Sequence, residues 1–200
     1  PANISRDRRA ALWALENGGE IGMVVDGSEN EQTVEHVNDL PAQDFAVVRI
    51  DIASIDQLRD ADLKLISGLP KLSYLRLTNA PLTDIGFAQL RDLPSLSAII
   101  ISGTEVTDRT LEHFASFKTI TELNLADTNI SDARLDALHS LPALKILWLE
   151  RTNVTDEGAP SIARLQGLTD ISLRRTGMSD AVVTKLKLLM PNCKFKAKGS

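Results

Sequence analysis

Apolar positions return along this chain every 24 residues. Five consecutive segments keep that step without a slip. They are LPKLSYLRLTNAPLTDIGFAQLRD from Leu69, LPSLSAIIISGTEVTDRTLEHFAS from Leu93, FKTITELNLADTNISDARLDALHS from Phe117, LPALKILWLERTNVTDEGAPSIAR from Leu141 and LQGLTDISLRRTGMSDAVVTKLKL from Leu165. A short apolar run opens each one, spaced as Leu72, Leu75 and Leu77 are in the first and Leu144, Leu147 and Leu149 in the fourth. The last two alternate, as in a strand with one buried face. A Thr/Ser-Asp pair follows: Thr83-Asp84, Thr107-Asp108, Ser131-Asp132, Thr155-Asp156 and Ser179-Asp180. Either side chain can accept a free backbone N–H, so the pair predicts a helix start. Apolar residues three apart then mark one helix face: Phe87/Leu90, Leu111/Phe114, Leu135/Leu138 and Val183/Leu186.

A strand, a turn and a helix of this length return the chain to its start, displaced by one strand spacing of ~4.8 Å. Copies stack side by side, strands in a parallel sheet and helices in a second layer. A helix is wider than a strand, so the stack curves with its strands inside. Upstream, Phe45–Gly68 repeats weakly: Asp60, Leu63 and Ile66 fall on Asp84, Phe87 and Leu90, while its strand around Val47–Ile52 is displaced by one residue. Downstream lies only a closing strand, with Phe195 and Ala197 inward. Seven strands make a sheet on the order of 30 Å across, a short arc. Gly158, Ala159 and Pro160 interrupt the helix of the fourth unit, which is expected to be the least regular of the convex segments.

The pattern LxxLxLxxTxVTDxxLxxL resembles a leucine-rich repeat of the ribonuclease-inhibitor-like or cysteine-containing class, found in many bacterial proteins and in F-box substrate receptors. The resemblance covers roughly residues 45–197. It implies an α/β fold, a right-handed solenoid with a parallel concave β-sheet and convex helices. Thr104, Thr128, Thr152 and Thr176 replace the usual Asn or Cys at the ninth position, and Ala80 stands there in the first regular unit. A Thr hydroxyl can still bond the adjacent buried loop backbone. Ala80 cannot, so its turn must be held differently.

Residues 1–44 do not repeat. Arg6 to Asn17 reads as a helix ended by Gly18, and EIGMVVDG alternates as a strand with Ile21, Met23 and Val25 on one face. Gly27 to Asp44 is polar and loop-like, although Val34, Val37 and Leu40 have helical spacing. A repeat array exposes apolar surface at its ends, so this segment reads as a cap. The resemblance agrees, since bacterial members often begin this way. Three regions are expected: a cap over 1–44, repeats over 45–188, and a closing strand and tail over 189–200.

Alternation sorts the side chains of the sheet. With the fourth and sixth positions inward, one concave column reads Arg49, Tyr74, Ala98, Glu122, Ile146, Asp170 and Lys194. The next reads Asp51, Arg76, Ile100, Asn124, Trp148, Ser172 and Lys196. Ile100, Ile146 and Trp148 are thus expected to face water. An exposed Trp148 beside Asn124, Glu150, Arg151 and Arg174 has the composition of a binding centre with a polar rim. The candidate partner-binding residues are Trp148, Ile146, Asn124, Glu150, Ile100, Arg174, Tyr74 and Arg76. Arg174, Arg175, Lys194, Lys196 and Lys198 gather at one end, and Glu122, Asp127, Glu150 and Asp170 lie centrally. Such polarity can orient a charged partner, and edge lysines also discourage strand-to-strand association.

Composition narrows the remaining classes. Apolar residues at 43% and charged residues at 24% fit a soluble globular chain, and aromatics at 4% leave the core to aliphatic side chains. Twenty-two Lys+Arg against 27 Asp+Glu give −5, which argues against nucleic acid or an anionic membrane as partner. No apolar stretch approaches the roughly 18 residues of a membrane span. Cys193, the one cysteine, leaves no internal disulfide and no cysteine-based zinc site. His36, His113 and His139 are scattered, and no phosphate loop or nucleophile elbow is present. Helix capping accounts for the column of Asp84, Asp108, Asp132, Asp156 and Asp180 better than calcium does. The chain is therefore expected to be non-enzymatic and monomeric, without cofactor or metal. Two readings remain: a module that holds a protein or peptide on its concave face, or a structural spacer or regulatory segment of a larger polypeptide with no ligand of its own.

Overall fold

The computed structural model describes residues 4–54 and 56–197. In chain order they form α1 (Arg6–Glu16), β1 (Glu20–Val25), β2 (Gln32–Val34), β3 (Phe45–Ala53), β4 (Tyr74–Thr78) and α2 (Asp84–Phe87). Next come β5 (Ala98–Ile100), α3 (Asp108–Phe114), β6 (Glu122–Asn124), β7 (Ile146–Trp148), α4 (Ala159–Ala163), β8 (Asp170–Ser172), α5 (Asp180–Leu189) and β9 (Lys194–Lys196). Tighter 3-10 turns occupy Asp60–Ile66, Leu135–Ser140 and Asp156–Gly158. Among the described residues the strands make one sheet, ordered β2-β1-β3-β4-β5-β6-β7-β8-β9, and it is parallel from β3 onwards.

Register follows the repeat. Leu75 pairs with Ile99, Ile99 with Leu123, Leu123 with Leu147, Leu147 with Ile171 and Ile171 with Phe195. The one-residue displacement of the first strand holds too, because Ile50 pairs with Leu75. Identical positions therefore lie side by side across the sheet, and all of these apolar side chains are buried. The convex face closes over them with Leu63, Ile66, Phe87, Leu90, Leu111, Phe114, Leu135 and Leu138, each fully buried. One continuous apolar core runs from α1 to Ala197.

Before β3 the chain is built into the same sheet. Ser5 caps α1, its hydroxyl accepting the Arg8 N–H at 3.2 Å, and Gly18 leaves the helix at φ +69°. The Asp7 carboxylate accepts the Val47 N–H at 2.7 Å and so ties α1 to β3. β1 lies antiparallel to β3, with an irregularity between Gly22 and Met23, and β2 extends the sheet beyond it. The loop expected from Gly27 to Asp44 thus contains a strand, because Val34 reaches the core while Gln32 and Thr33 stay exposed. The helical spacing of Val34, Val37 and Leu40 yields one 3-10 turn, Val37–Asp39.

The Thr/Ser-Asp pairs divide their work. Thr or Ser is the cap: Thr83, Thr107, Ser131 and Thr155 each accept the N–H two residues on, and Ser179 the one three residues on. The Asp is not a cap, contrary to expectation. Its carboxylate reaches sideways to the next repeat, where it accepts both the backbone N–H and the hydroxyl of the following Thr or Ser. Asp60 takes Thr83, Asp84 takes Thr107, Asp108 takes Ser131, Asp132 takes Thr155 and Asp156 takes Ser179. The charge is better satisfied by two donors held at fixed distance than by its own frayed helix end.

The ninth-position threonines bond within their own turns. Thr104, Thr128, Thr152 and Thr176 donate to the carbonyls of Ile101, Leu125, Leu149 and Leu173 at 2.6–2.8 Å. At Ala80 the turn closes through backbone alone, Leu82 N–H to Ala80 carbonyl at 2.8 Å. The fourth convex segment is split, as Gly158 and Pro160 suggest, into a 3-10 turn and the five-residue α4. The least helical regular unit is instead the third, where Leu135–Ser140 is 3-10 throughout. Pro160 falls in the first turn of α4, where no N–H is needed, so it costs little.

Candidate interaction surface

The concave columns stand where alternation places them. Arg49, Tyr74, Ala98, Glu122, Ile146, Asp170 and Lys194 align across one row, and Asp51, Arg76, Ile100, Asn124, Trp148, Ser172 and Lys196 across the next. Two groups of side chains rise from this face. Between them Ala98, Ile100 and Ala126 form a low apolar floor.

The group towards the C-terminus is centred on β7. Trp148 and Ile146 are half-buried, two residues apart on one face, with Asn124 beside the indole on β6 and Ser172 on β8. Asn124 accepts the Ala126 N–H at 3.0 Å, which holds its amide against the sheet. Ser172 is fully buried and donates to the Glu150 carboxylate at 2.5 Å. Ser172 stands between Trp148 and Lys196 in this row, a short side chain flanked by two long ones. The Lys196 ammonium stands 3.8 Å from the centroid of the Trp148 ring, a cation–π contact. The indole N–H is itself buried and has no acceptor among the described residues.

The second group lies where the sheet meets β1. Arg76 pairs with Asp51 at 3.2 Å. Arg49 donates to Glu20, to Glu31 at 3.2 Å and to Thr33 at 3.0 Å. Burial first, and then the charge of Asp51, push the Tyr74 phenol above its ordinary value. A cleft opens beside this group, lined by Glu20, Glu35, His36, Asp51 and Arg76.

Two expectations need correction. Ile100 does not face water: it is 8% exposed, set between the longer side chains of Arg76 and Asn124 in its own row. Trp148 lies on the concave side but not free in solvent, since Lys196 covers its ring. Glu150 is half-buried, and Arg174 is exposed one strand on. Lys198 lies outside the described residues. Lys196 was legible as a neighbour, being two strands from Trp148 in one row with a small residue between. The cleft was not, because Glu35 and His36 sit in the segment without a repeat.

Groups with chemical potential are engaged elsewhere. His113 Nε2 lies 2.9 Å from the Leu90 carbonyl and His139 Nε2 2.9 Å from that of Ser161, each joining neighbouring repeats. Burial, with help from Asp170, pushes the Cys193 thiol up to about 11, so at neutral pH it is protonated. Among the described residues no three His, Cys, Asp or Glu side chains are placed to hold a metal ion, and no helix is long and apolar enough to cross a membrane.

The stacked units, aligned parallel strands and convex helical turns define an α/β leucine-rich-repeat solenoid. An internalin from Listeria monocytogenes has a similar structure, at TM-score 0.58 and 19% identity over 75% of this chain. The overlap takes in 40% of the internalin chain, less than half its length. A structure of the BIR3–SERK2 complex from Arabidopsis thaliana overlaps more loosely, at TM-score 0.47 and 18% identity, over 85% of this chain and 92% of that one. No family model matches the sequence, and no curated protein matches it.

Proposed function

We propose that this solenoid is a protein-interaction module whose concave face holds a protein or peptide partner, with Trp148 and Ile146 at the centre of the contact. Asn124, Glu150 and Arg174 form its polar rim, Ile100 contributes to the floor, and Tyr74 and Arg76 make a second point of attachment. The observation that carries this reading is Trp148 itself. A large aromatic side chain stands on an open sheet face, where it serves neither the core nor the inter-repeat ladder. Aromatic anchors ringed by polar groups are where binding energy concentrates. Its N–H has no acceptor among the described residues, and a partner that turned the indole would gain a hydrogen bond.

The 24-residue strand–turn–helix pattern supports the ribonuclease-inhibitor-like or cysteine-containing class for the repeats, with Thr in place of its usual Asn or Cys at the ninth position. The segment before β3 acts in this reading as the cap of the array. The lysines of β9 favour a monomer by repelling a second copy of that edge.

Affinity capture from the source cell, followed by mass spectrometry, tests the function. The intact protein should retain a partner that Trp148→Ala loses, with circular dichroism and unfolding midpoint unchanged. Should both proteins capture the same set, or neither any, the concave face is not a recognition surface and the spacer reading takes its place.

A further inference from the structure

The seat over Trp148 is already filled, and by a particular chemical group. Lys196 comes from the last strand, crosses β8 above the buried Ser172, and places its ammonium 3.8 Å from the ring centroid. The surrounding residues favour that charge. Glu122 and Asp170 flank Ile146 in the neighbouring row, and Glu150 lies two residues after Trp148, just beyond β7. An aromatic face with three carboxylates on the neighbouring sheet positions, in a chain of net charge −5, favours a cation over an anion, although Lys194 and Arg174 lie at the same end of the face.

We infer that the Trp148 face is a cation subsite, which takes a Lys or Arg side chain of the partner once Lys196 swings away. This rests on the concave-face reading above and adds the chemistry of what is recognised. Lys196 then acts as an internal stand-in for the ligand. It keeps the indole from exposing bare apolar surface in the free protein, and it competes with the incoming side chain. Competition of this kind lowers apparent affinity by the fraction of molecules in which the seat is occupied. Removing the stand-in should therefore tighten binding, while removing the ring should abolish it. A partner that instead used a carboxylate to draw Lys196 off the ring would respond in the opposite way, losing affinity with the lysine.

The full chain, 15N-labelled, allows the two to be separated. Trp148 Nε1–H is identified by its disappearance in Trp148→Phe, and its shift is followed during titration with acetyl-Gly-Lys-Gly-amide, acetyl-Gly-Arg-Gly-amide or acetyl-Gly-Glu-Gly-amide. The two cationic probes should shift the resonance at millimolar concentration and the acidic one should not. Lys196→Met should bind the cationic probes about threefold to tenfold more tightly than the intact chain. Trp148→Leu, which keeps an apolar side chain and removes the ring, should bind neither; probe-induced shifts of the Asn124 and Ser172 amides report on it. Equal affinities for intact protein and Lys196→Met, or preference for the acidic probe, would overturn the assignment. Those outcomes are distinct from failure of the concave-face reading: a partner captured through Trp148 with no cation preference sinks this inference and leaves that reading standing.

Discussion

The Asp132 carboxylate accepts both polar hydrogens of Thr155, the backbone N–H at 2.9 Å and the hydroxyl at 2.6 Å. The same join recurs from Asp60 to Ser179, one repeat to the next, on the rim where strands turn into helices. It is polar where the rest of the stacking is apolar, and it is directional. A slipped repeat could still bury leucines, but it could not keep both hydrogen bonds.

Asp132→Ala should therefore cost about 2–3 kcal/mol, since bonds to a charged acceptor contribute about 1.5–3 kcal/mol each and water recovers part of the loss. Thr155→Ala should cost a similar amount, because it removes the hydroxyl donor and a helix cap together. A double-mutant cycle in urea isolates the shared part. A coupling energy near zero would mean that the ladder does not join repeats energetically.

Gly158 lies directly beneath this carboxylate. A Cβ there would clash with Asp132 Oδ1 and come within 2.8 Å of Leu135 Cδ1. Its φ is −77°, so the backbone would tolerate any residue, and Gly→Ala in a helical position ordinarily stabilises. Gly158→Ala is expected to do the reverse, lowering stability by about 1–2 kcal/mol through overpacking. A higher urea midpoint for the variant would show that the space is open. Gly86 holds the matching place under Asp60 and should behave alike.

Strand direction and row membership were legible because alternation and the 24-residue step constrain every unit at once: Leu123 could not turn outward without its counterparts Ile99 and Leu147. The role of the aspartates was not, because a single repeat offers each carboxylate the N–H groups of its own helix. Only adjacent units bring the next Thr or Ser within 3 Å. Ile100 went wrong for a related reason, since alternation says which face a side chain takes and not how much of it its neighbours leave exposed. β2 was missed because Gln32 and Thr33 face solvent at the sheet edge, leaving Val34 alone to signal burial. The row of Trp148 was legible from alternation, whereas the contact of Lys196 with its ring depends on a side-chain conformation that alternation does not give.

The aromatic contact under the convex layer should be the most expensive to remove. Phe114 is fully buried, meets Phe87 edge-on with centroids 5.8 Å apart, and lies 6.3 Å from Phe117. Phe114→Ala should lose about 3–5 kcal/mol of unfolding free energy. Ile85, two residues before Phe87 on α2, is 72% exposed, and Ile85→Ala should stay within about 0.5 kcal/mol of the parent. Comparable losses for the two would mean that α2 is oriented differently from the arrangement described.

His113 makes stability fall on acidification. Burial chiefly, and the nearby charge of Arg91, hold its pKa below the ordinary 6.5, while the bond to the Leu90 carbonyl works the other way. The neutral ring donates its Nε2–H to that carbonyl and packs edge-on against Phe117 at 5.6 Å. Because the folded pKa is the lower one, the unfolded chain binds the proton first as pH drops. The histidine's contribution is complete above the unfolded value and is lost as pH falls through 6.5 towards the folded value. His113→Gln keeps a donor for Leu90 and cannot titrate, so the other ionisable groups cancel in the difference between parent and variant. That difference in unfolding free energy should move against the parent between about pH 7.5 and 5.5, and the His113 ring resonances should titrate below 6.5. A flat difference, or one that moves in favour of the parent, would place the ring in contact with water instead of between repeats.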